Sequence, residues 1–268
     1  MIIGNKNFDT NNSSYVMGIL NITPDSFYDG SKYDTRDNAI RRALIMVEEG
    51  ASIIDIGGES TRPGYVPVSA SEECERVIPV IEAVKREIDV PISLDTFKPD
   101  VAAEGIKAGV AMINDIWGLK YDSRMAEVIA ENNVACTLMH NRQENVYVSL
   151  IDDIANDLAQ TLDIASKAGI ADDKIILDPG IGFAKDTNQN LECLNVLSVF
   201  KQLGYPILLG ISRKSVIGNV LGIPVEERLA GTVALNVYGV LNGVSFIRVH
   251  DVKENVEALK MIEAIRNS

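Results

Sequence analysis

The chain has 268 residues, of which 46% are hydrophobic and 24% are charged, and its formal net charge is −13 at pH 7. This length fits one α/β barrel of about 250 residues, although two smaller domains would also fit. The negative charge argues against nonspecific binding to nucleic acid or to an anionic membrane, but a local basic cluster could still bind an anionic substrate. Three cysteines without CxxC spacing argue against a disulfide framework or a zinc site.

Neither a membrane span nor a secretory signal is visible in the sequence. No apolar stretch approaches the roughly 20 residues that a membrane helix needs. The first residues, MIIGNKNFDTNNSS, lack the basic start and the long apolar core of a signal peptide. We therefore expect a cytoplasmic protein, in which residues 1–15 form a short N-terminal extension and residues 16–268 form the main domain.

Eight apolar, β-branched segments recur along the chain, and each ends abruptly in polar, Gly or Pro residues. This pattern is typical of buried parallel strands that lead into functional loops. In chain order the segments are Val16–Thr23, Ser52–Gly58, Ile92–Phe97, Ala111–Gly118, Ala135–His140, Lys174–Gly180, Pro206–Ser212 and Ser245–Asp251.

Helical patterns lie between these segments. In the second one Val77, Ile81 and Val84 recur at helical spacing, and Ser69 with Glu72 has the spacing of a capping box. Strand and helix alternate eight times without a long linker, which favours a single (β/α)8 TIM barrel over an open doubly wound sheet. The absence of GxGxxG and GxxxxGK[ST] sequences lowers the odds of dinucleotide-binding or P-loop chemistry.

Strongly polar residues stand at the carboxyl ends of the predicted strands. Residues two apart in a strand share a face, so a polar residue two positions after an inward apolar one points into the barrel mouth. Packing does not explain these groups, because an unpaired buried charge costs several kcal/mol. The residues expected to converge on one site are Asn21, Asp95, Asn114, Asp178, Lys214, Arg248 and His250.

The side-chain types divide into two groups. Asp95, Asn114 and Asp178 suit a small planar ring that carries several N–H donors. A second group suits phosphate oxygens, to which arginine can donate two hydrogen bonds at once. It consists of Arg62, Arg248 and His250, with Thr61. Asn21 offers a neutral oxygen to a hydrated Mg²⁺, an ion that keeps most of its waters and leans on substrate phosphates. A ligand with a donor-rich ring and a diphosphate would satisfy both groups.

Seven motifs of this chain resemble those of the dihydropteroate synthase family. They are GILNITPDSFYDG, GGESTRPG, SLDTF, INDIWG, LDPGIGFAK, GISRKS and IRVHD, and together they span the sequence from Val16 to Asp251. The resemblance implies an eight-stranded barrel that acts in folate biosynthesis. It implies a Mg²⁺-dependent condensation of 6-hydroxymethyl-7,8-dihydropterin diphosphate with 4-aminobenzoate, which gives dihydropteroate and pyrophosphate.

The resemblance also implies roles for individual residues and a homodimer. The implied pterin pocket is Asp95, Asn114, Asp178 and Lys214, lined by Met139, Phe183 and Gly210. The implied diphosphate and metal site is Asn21, Arg62, Arg248 and His250. The implied aminobenzoate site is Thr61, Pro63, Phe183, Lys214 and Ser215. The implied catalytic groups are Asp95, Lys214, Arg248, His250 and, from the loop 23–32, Asp29.

Some residues and alternatives stay open at this level. His140 suits a structural hydrogen bond as well as a ligand contact, and Asp55 suits support of the site as well as loop capping. Tyr28 and Ser31 depart from the usual first loop of the family. The rival functions are a pterin-binding methyltetrahydrofolate methyltransferase, which has no use for a diphosphate site, and a non-catalytic pterin-binding homologue. Sulfonamides mimic aminobenzoate, so altered sensitivity is first expected around Pro63, Phe183 or Ser215.

Overall fold

Eight parallel strands form one sheet that closes into a barrel in this computed structural model. The structure describes residues 1–22, 32–59, 67–266 and 268, without the side chains of residues 32–35. A short antiparallel hairpin of β1 and β2 precedes them. The strands are β1 (Ile2–Ile3), β2 (Lys6–Asn7), β3 (Tyr15–Asn21), β4 (Ile53–Gly57), β5 (Ile92–Asp95), β6 (Met112–Asp115), β7 (Ala135–Met139), β8 (Ile175–Asp178), β9 (Leu208–Leu209) and β10 (Phe246–Val249).

The order of strands in the sheet is β8-β7-β6-β5-β4-β3-β10-β9, and the two edges meet. A parallel bridge between Leu177 and Ile207 joins β8 to the segment before β9 and closes the barrel. The predicted TIM barrel is thus confirmed. The strands are shorter than the predicted segments, most clearly at β9, because the last residues of each segment already belong to the loops at the barrel mouth.

Helices follow the strands and cover the outside of the barrel. Their bounds are α1 (Lys32–Glu48), α2 (Ala70–Glu87), α3 (Pro99–Lys107), α4 (Arg124–Asn132), α5 (Leu150–Ala168), α6 (Thr187–Asn195), α7 (Leu197–Phe200), α8 (Ser215–Leu221), α9 (Leu229–Leu241) and α10 (Val252–Arg266). Helix α2 begins where the sequence predicted, since Ser69 Oγ accepts a hydrogen bond from the backbone N–H of Glu72 at 3.2 Å. No helix in the described part of the chain is long and apolar enough to cross a membrane.

The two larger apolar cores among the described residues lie on opposite sides of the barrel wall. Alternate strand residues such as Ile54, Leu94 and Ile113 face outward and pack with the helices in the larger core. The other core lies inside the barrel at the amino ends of the strands, and we call it the floor. It consists of Met17, Ile53, Met112, Ala135, Ile176, Leu208 and Phe246, with Ile3 and Phe8 of the N-terminal hairpin beneath them.

A buried ion cluster fixes the end of β4 to the neighbouring helices. Lys98 Nζ donates to Glu59 and, at 2.6 Å, to Glu73 Oε2. Arg76 Nη1 donates to the carbonyl oxygen of Gly58 at 3.1 Å. Burial of Glu73 raises the pKa of its carboxyl group despite the ammonium group of Lys98. These contacts define where the chain leaves the barrel before residues 60–66.

Candidate active site

The polar residues of the barrel mouth stand two positions above the floor. Asp55 follows Ile53, Asn114 follows Met112 and Asp178 follows Ile176, each on the inward face of its strand. The same step leads from Phe246 to Arg248 and on to His250. Across the sheet, four positions are consecutive register partners at one level, namely Asn21, Gly57, Asp95 and Asn114.

Arg248 occupies the centre of this ring. Its Nε donates to Asp55 Oδ2 and its Nη2 donates to Asp95 Oδ2, both at 2.6 Å. Asn114 Nδ2 also donates to Asp55 Oδ2, at 3.2 Å. Asp55 is fully buried, so it supports the site by orienting both the guanidinium of Arg248 and the amide of Asn114. This contact resolves the open role of Asp55 in favour of support.

Burial sets the acid–base properties of the ring. It raises the pKa of Asp95 to about 7, although the neighbouring charge of Arg248 acts in the opposite direction. Burial alone would lower the pKa of Arg248, but the carboxylates of Asp55 and Asp95 outweigh it and raise that pKa. The arginine therefore stays charged, and Asp95 is the group that titrates near neutrality.

A second cluster joins the ends of β8 and β9. An ideal Cβ on Gly210 would lie 3.7 Å from Asp178 Oδ2 and 3.8 Å from Lys214 Nζ, so these two side chains converge over this glycine. Burial lowers the pKa of Lys214 to about 8 and raises the pKa of Asp178. Lys214 Nζ donates to the carbonyl oxygen of Ile181 and lies 4.5 Å from the centre of the Phe183 ring. The cation thus sits between the carboxylate and the aromatic face.

His250 is oriented by a serine at the end of the neighbouring strand. Ser212 Oγ lies 2.9 Å from His250 Nδ1 and accepts a hydrogen bond from the His250 backbone N–H at 3.2 Å. A serine hydroxyl that donates to Nδ1 selects the tautomer with its proton on Nε2. Next to this pair, Arg213 makes a bidentate ion pair with Asp251 at 2.8 and 2.7 Å. The two pairs tie the loop that carries Lys214 to the strand end that carries His250.

Asn21 has the surroundings expected for a ligand to a hydrated cation. An ideal Cβ on Gly57 would lie 3.6 Å from Asn21 Oδ1 and 3.7 Å from Asp95 Oδ2, so glycine leaves open space beside both oxygens. No cluster of three or more His, Cys, Asp or Glu residues with the spacing of a metal site occurs in the described residues. One neutral oxygen suits an Mg²⁺ that is bound mainly by water and phosphate.

Apolar residues form one wall of the mouth. Phe97, Ile116 and Met139 are buried against one another, and Trp117 and Phe183 pack on them. Met139 and Asp178 are register partners, which places the thioether beside the polar cluster. A flat ring would thus meet an apolar wall on one side and carboxylate and amide groups along its edge.

The structure does not place every predicted site residue. Ser215 is exposed at the start of α8. Asp29, Thr61, Arg62 and Pro63, together with Tyr28 and Ser31, lie outside the described residues. The sequence alone does not predict the contribution of Ser212, although this residue stands inside the motif GISRKS.

Comparison with known proteins identifies the family. The sequence profile of a family described as pterin binding enzyme matches residues 17–250. A dihydropteroate synthase from Clostridium beijerinckii is 54% identical over 266 residues, which cover 99% of this chain and 99% of the relative.

Solved structures agree with the sequence comparison. A dihydropteroate synthase from Clostridium difficile, crystallised in the presence of pteroic acid, superposes with a TM-score of 0.95 at 49% identity, covering 98% of this chain and 100% of that one. One from Xanthomonas albilineans with 4-aminobenzoic acid superposes with a TM-score of 0.92 at 39% identity, covering 96% and 94%. The chain belongs to the dihydropteroate synthase family of pterin-binding enzymes.

Proposed function

We propose that this protein is the transferase that condenses 6-hydroxymethyl-7,8-dihydropterin diphosphate with 4-aminobenzoate, giving 7,8-dihydropteroate and pyrophosphate. The arrangement that carries this proposal is the ring at the barrel mouth. Arg248 holds Asp95 at the edge of an apolar slot, and Asp178 and Lys214 stand opposite. One similar structure was solved in the presence of pteroic acid, the oxidised form of the proposed product, and another with 4-aminobenzoic acid, the proposed second substrate.

The carboxylates favour the pterin and the charge that it develops. Asp95, Asn114 and Asp178 accept the N–H groups of the ring, and Met139 packs against its face. When the diphosphate leaves, positive charge develops on the pterin methylene and spreads into the ring. A preorganised carboxylate beside that ring stabilises the charge in the transition state, and we assign this role to Asp95. Lys214 borders the ring at Gly210.

The leaving group is the second charged centre. We assign its stabilisation to Arg248 and His250, whose guanidinium and imidazole N–H groups can donate to diphosphate oxygens. Asn21 would hold Mg²⁺, which when bound supplies Lewis-acid stabilisation of the leaving diphosphate. Arg62 belongs to the same proposed site.

The aminobenzoate completes the reaction without a strong base, because an arylamine nitrogen is already nucleophilic. Phe183 and Lys214 provide an aromatic face and a cation for its ring and carboxylate. Thr61, Pro63 and Ser215 stay predictions for the same site, and Asp29 stays a prediction for a further carboxylate near the ring. Exclusion of water from the slot protects the cationic pterin from hydrolysis.

Pyrophosphate release tests the proposal directly. The purified protein is given the pterin diphosphate and Mg²⁺, with and without 4-aminobenzoate. We expect release that requires both substrates and yields dihydropteroate. Pterin binding without release would overturn the proposal and favour a methyltransferase-like or non-catalytic pterin-binding protein.

We infer that the protein forms a homodimer through its last helices. Three large apolar side chains are exposed there: Leu241 (60%), Met261 (63%) and Ile265 (65%). Arg266 Nη2 donates to the carbonyl oxygen of Val240 at 2.7 Å, so the ends of α9 and α10 lie together. Exposed apolar side chains on neighbouring helices are typical of an interface between subunits. Sedimentation velocity would distinguish the dimer from the 29.2 kDa monomer.

Pterin affinity should rise with pH through the titration of Asp95. Its pKa of about 7 leaves a large fraction of this carboxyl protonated at neutral pH, and the charged carboxylate accepts the N–H groups of the ring much more strongly than the protonated carboxyl does. Below about pH 7 the affinity is expected to fall, approaching tenfold per pH unit. Calorimetric titration with the pterin diphosphate across this range measures it. The Asp95→Asn variant serves as the control, because its weaker binding should lose this dependence.

Removal of the Ser212 hydroxyl should slow turnover through His250. The Ser212→Ala variant loses the hydrogen bond to His250 Nδ1 and the one from the His250 backbone N–H, and we expect kcat to fall about tenfold, the effect of losing one such hydrogen bond. Ser212→Thr retains the hydroxyl and should retain most activity. Ser245→Ala is the matched control. Ser245 is also buried, but it directly precedes β10, at the end of that strand opposite to His250, and its Oγ donates to the carbonyl oxygen of Thr10. Equal kcat values in both alanine variants would contradict the role of Ser212.

A further inference from the structure

The segment that follows β8, residues 179–185, is fixed to the rest of the protein through its backbone. Gly180 N donates to Asp178 Oδ1 at 2.7 Å, and Gly182 N donates to Asn190 Oδ1 at 2.6 Å. Tyr147 Oη donates to the carbonyl oxygen of Ala184 at 2.8 Å. Ala184 itself has φ +46°, a left-handed conformation that a residue with a Cβ adopts only when its surroundings hold it there. The segment is therefore a preorganised loop.

Lys185 is the central contact of this loop. Its Nζ donates to the carbonyl oxygens of Gly180 at 2.9 Å and Phe183 at 3.2 Å, and it lies 3.0 Å from His140 Nδ1. Three acceptors match the three N–H groups of an ammonium ion. None of these three acceptors is a carboxylate, and Lys185 forms no salt bridge with the residues that the structure describes. Its hydrogen bonds go instead into the loop and into one imidazole.

His140 accepts the hydrogen bond from Lys185 as a neutral imidazole. Its side chain is fully buried, and burial together with the charge of Lys185 lowers its pKa to about 2, so the ring is neutral. A neutral ring that accepts at Nδ1 carries its proton on Nε2, which lies 3.2 Å from Asp157 Oδ2. Arg142 Nε donates to the same Asp157 oxygen at 2.6 Å. The imidazole thus lies between Asp157 of α5 and Lys185, directly after the end of β7.

The loop places the Phe183 ring and the Ile181 carbonyl oxygen next to Lys214. The Phe183 ring faces Lys214 Nζ at 4.5 Å, and the Ile181 carbonyl oxygen accepts from the same ammonium group. Lys185 grips the carbonyl oxygen of Phe183 and that of Gly180, which also accepts from the Phe183 N–H at 3.1 Å. The backbone N–H and the backbone carbonyl group of Phe183 therefore both take part in hydrogen bonds to oxygens that accept from Lys185.

We propose that Lys185, supported by His140, is a positioning residue that sets the place of Phe183 and thereby the affinity for 4-aminobenzoate. Lys185 does not touch the substrates. The inference rests on the proposed function, because Phe183 is assigned there to the aminobenzoate. Asn190 fixes the middle and end of the same loop independently, through Gly182 N and Lys185 O. Loss of the ammonium group should therefore shift Phe183 without unravelling the loop.

The test compares substitutions at Lys185 with a substitution at Lys120, a lysine that also contacts the neighbourhood of His140, through Asp157. Lys185→Met removes the ammonium group and keeps the length of the side chain, and Lys185→Gln keeps N–H donors for part of the contact. Lys120→Met is the matched control, since Lys120 Nζ donates to the carbonyl oxygen of Asp157 at 2.9 Å and makes none of the loop contacts described for Lys185. Steady-state kinetics with each substrate varied, calorimetric binding of the pterin diphosphate and thermal unfolding are measured for all variants.

In Lys185→Met we expect the KM for aminobenzoate to rise about tenfold to a hundredfold, as for the loss of hydrogen bonds to a charged group. The affinity for the pterin diphosphate should change much less, Lys185→Gln should be intermediate, and Lys120→Met should resemble the wild type. Equal changes toward both substrates, or an unchanged KM for aminobenzoate, would overturn the proposal. So would unfolding of both variants, which would make Lys185 a residue of stability alone. A wild-type protein that releases no pyrophosphate would instead refute the proposed function.

Discussion

Replacement of Asp95 by asparagine is expected to lower the rate of dihydropteroate formation by about 10² to 10³-fold while the fold stays intact. The amide has the same shape and can still contact Arg248 Nη2, which now donates to Asp95 at 2.6 Å. It lacks the negative charge that stabilises a cationic pterin, and this charge matters most in a buried site with little water. Pyrophosphate release measures the rate, and circular dichroism checks the fold.

Asp100→Asn is the matched control for this experiment. Asp100 stands five residues later, on α3, where its carboxylate is 64% exposed and pairs with Arg124 at the surface. The same chemical change there should leave the rate within about twofold of the wild type, since exposed ion pairs contribute little. An Asp95→Asn enzyme with full activity would remove Asp95 from the mechanism.

Replacement of Arg248 by methionine should cost the most stability. It leaves the carboxylates of Asp55 and Asp95, which are 0% and 9% exposed, without the cation that neutralises both. Removal of one partner from a buried ionic group lowers the free energy of unfolding by about 3–5 kcal/mol. Urea denaturation monitored by circular dichroism measures the difference from the wild type.

The loss of stability in Arg248→Met should depend on pH. The pKa of Asp95 is already raised in the folded wild type, and it should rise further in the variant because the cation beside the carboxylate is gone. The variant therefore loses free energy of unfolding at pH values at which this buried carboxyl group is charged. The difference should therefore be larger above about pH 7 and shrink as the pH falls and the folded protein binds the proton. Arg124→Met is the control, because Arg124 also contacts two aspartates, Asp100 and Asp122, but at the surface. A similar loss in both variants, or a loss independent of pH, would contradict this account.

The part of the fold that depends on local pattern could be predicted. All eight barrel strands lie within or next to the predicted segments, because a buried parallel strand needs a continuous apolar run and a polar end. The convergence of Asp95, Asn114, Asp178 and Arg248 on the barrel mouth followed from the two-residue period of a strand. Closure of the sheet then places all strand ends on one ring.

Contacts across the barrel could not be predicted in this way. Arg248 and Asp55 are 193 residues apart in the chain, and no local pattern indicates that one arginine neutralises two aspartates. The pairing of His140 with Lys185, 45 residues away, depends on how the loop after β8 folds back over β7. These pairings depend on the three-dimensional fold, because a buried charged group must pair with the polar groups that the fold places next to it.

The separation of the apolar floor from the polar mouth has a consequence for how this protein can change. Met17, Ile53 and Phe246 are sealed from the mouth by the layer of side chains above them and from solvent by the N-terminal hairpin. A designer could therefore raise the melting temperature by repacking the floor with volume-conserving residues and leave the chemistry untouched. Conversely, substitutions at the mouth change the groups to which we assign the reaction, so a change that weakens an inhibitor there is expected to affect catalysis as well. Tolerance to mutation and escape from drugs thus belong to opposite ends of one barrel.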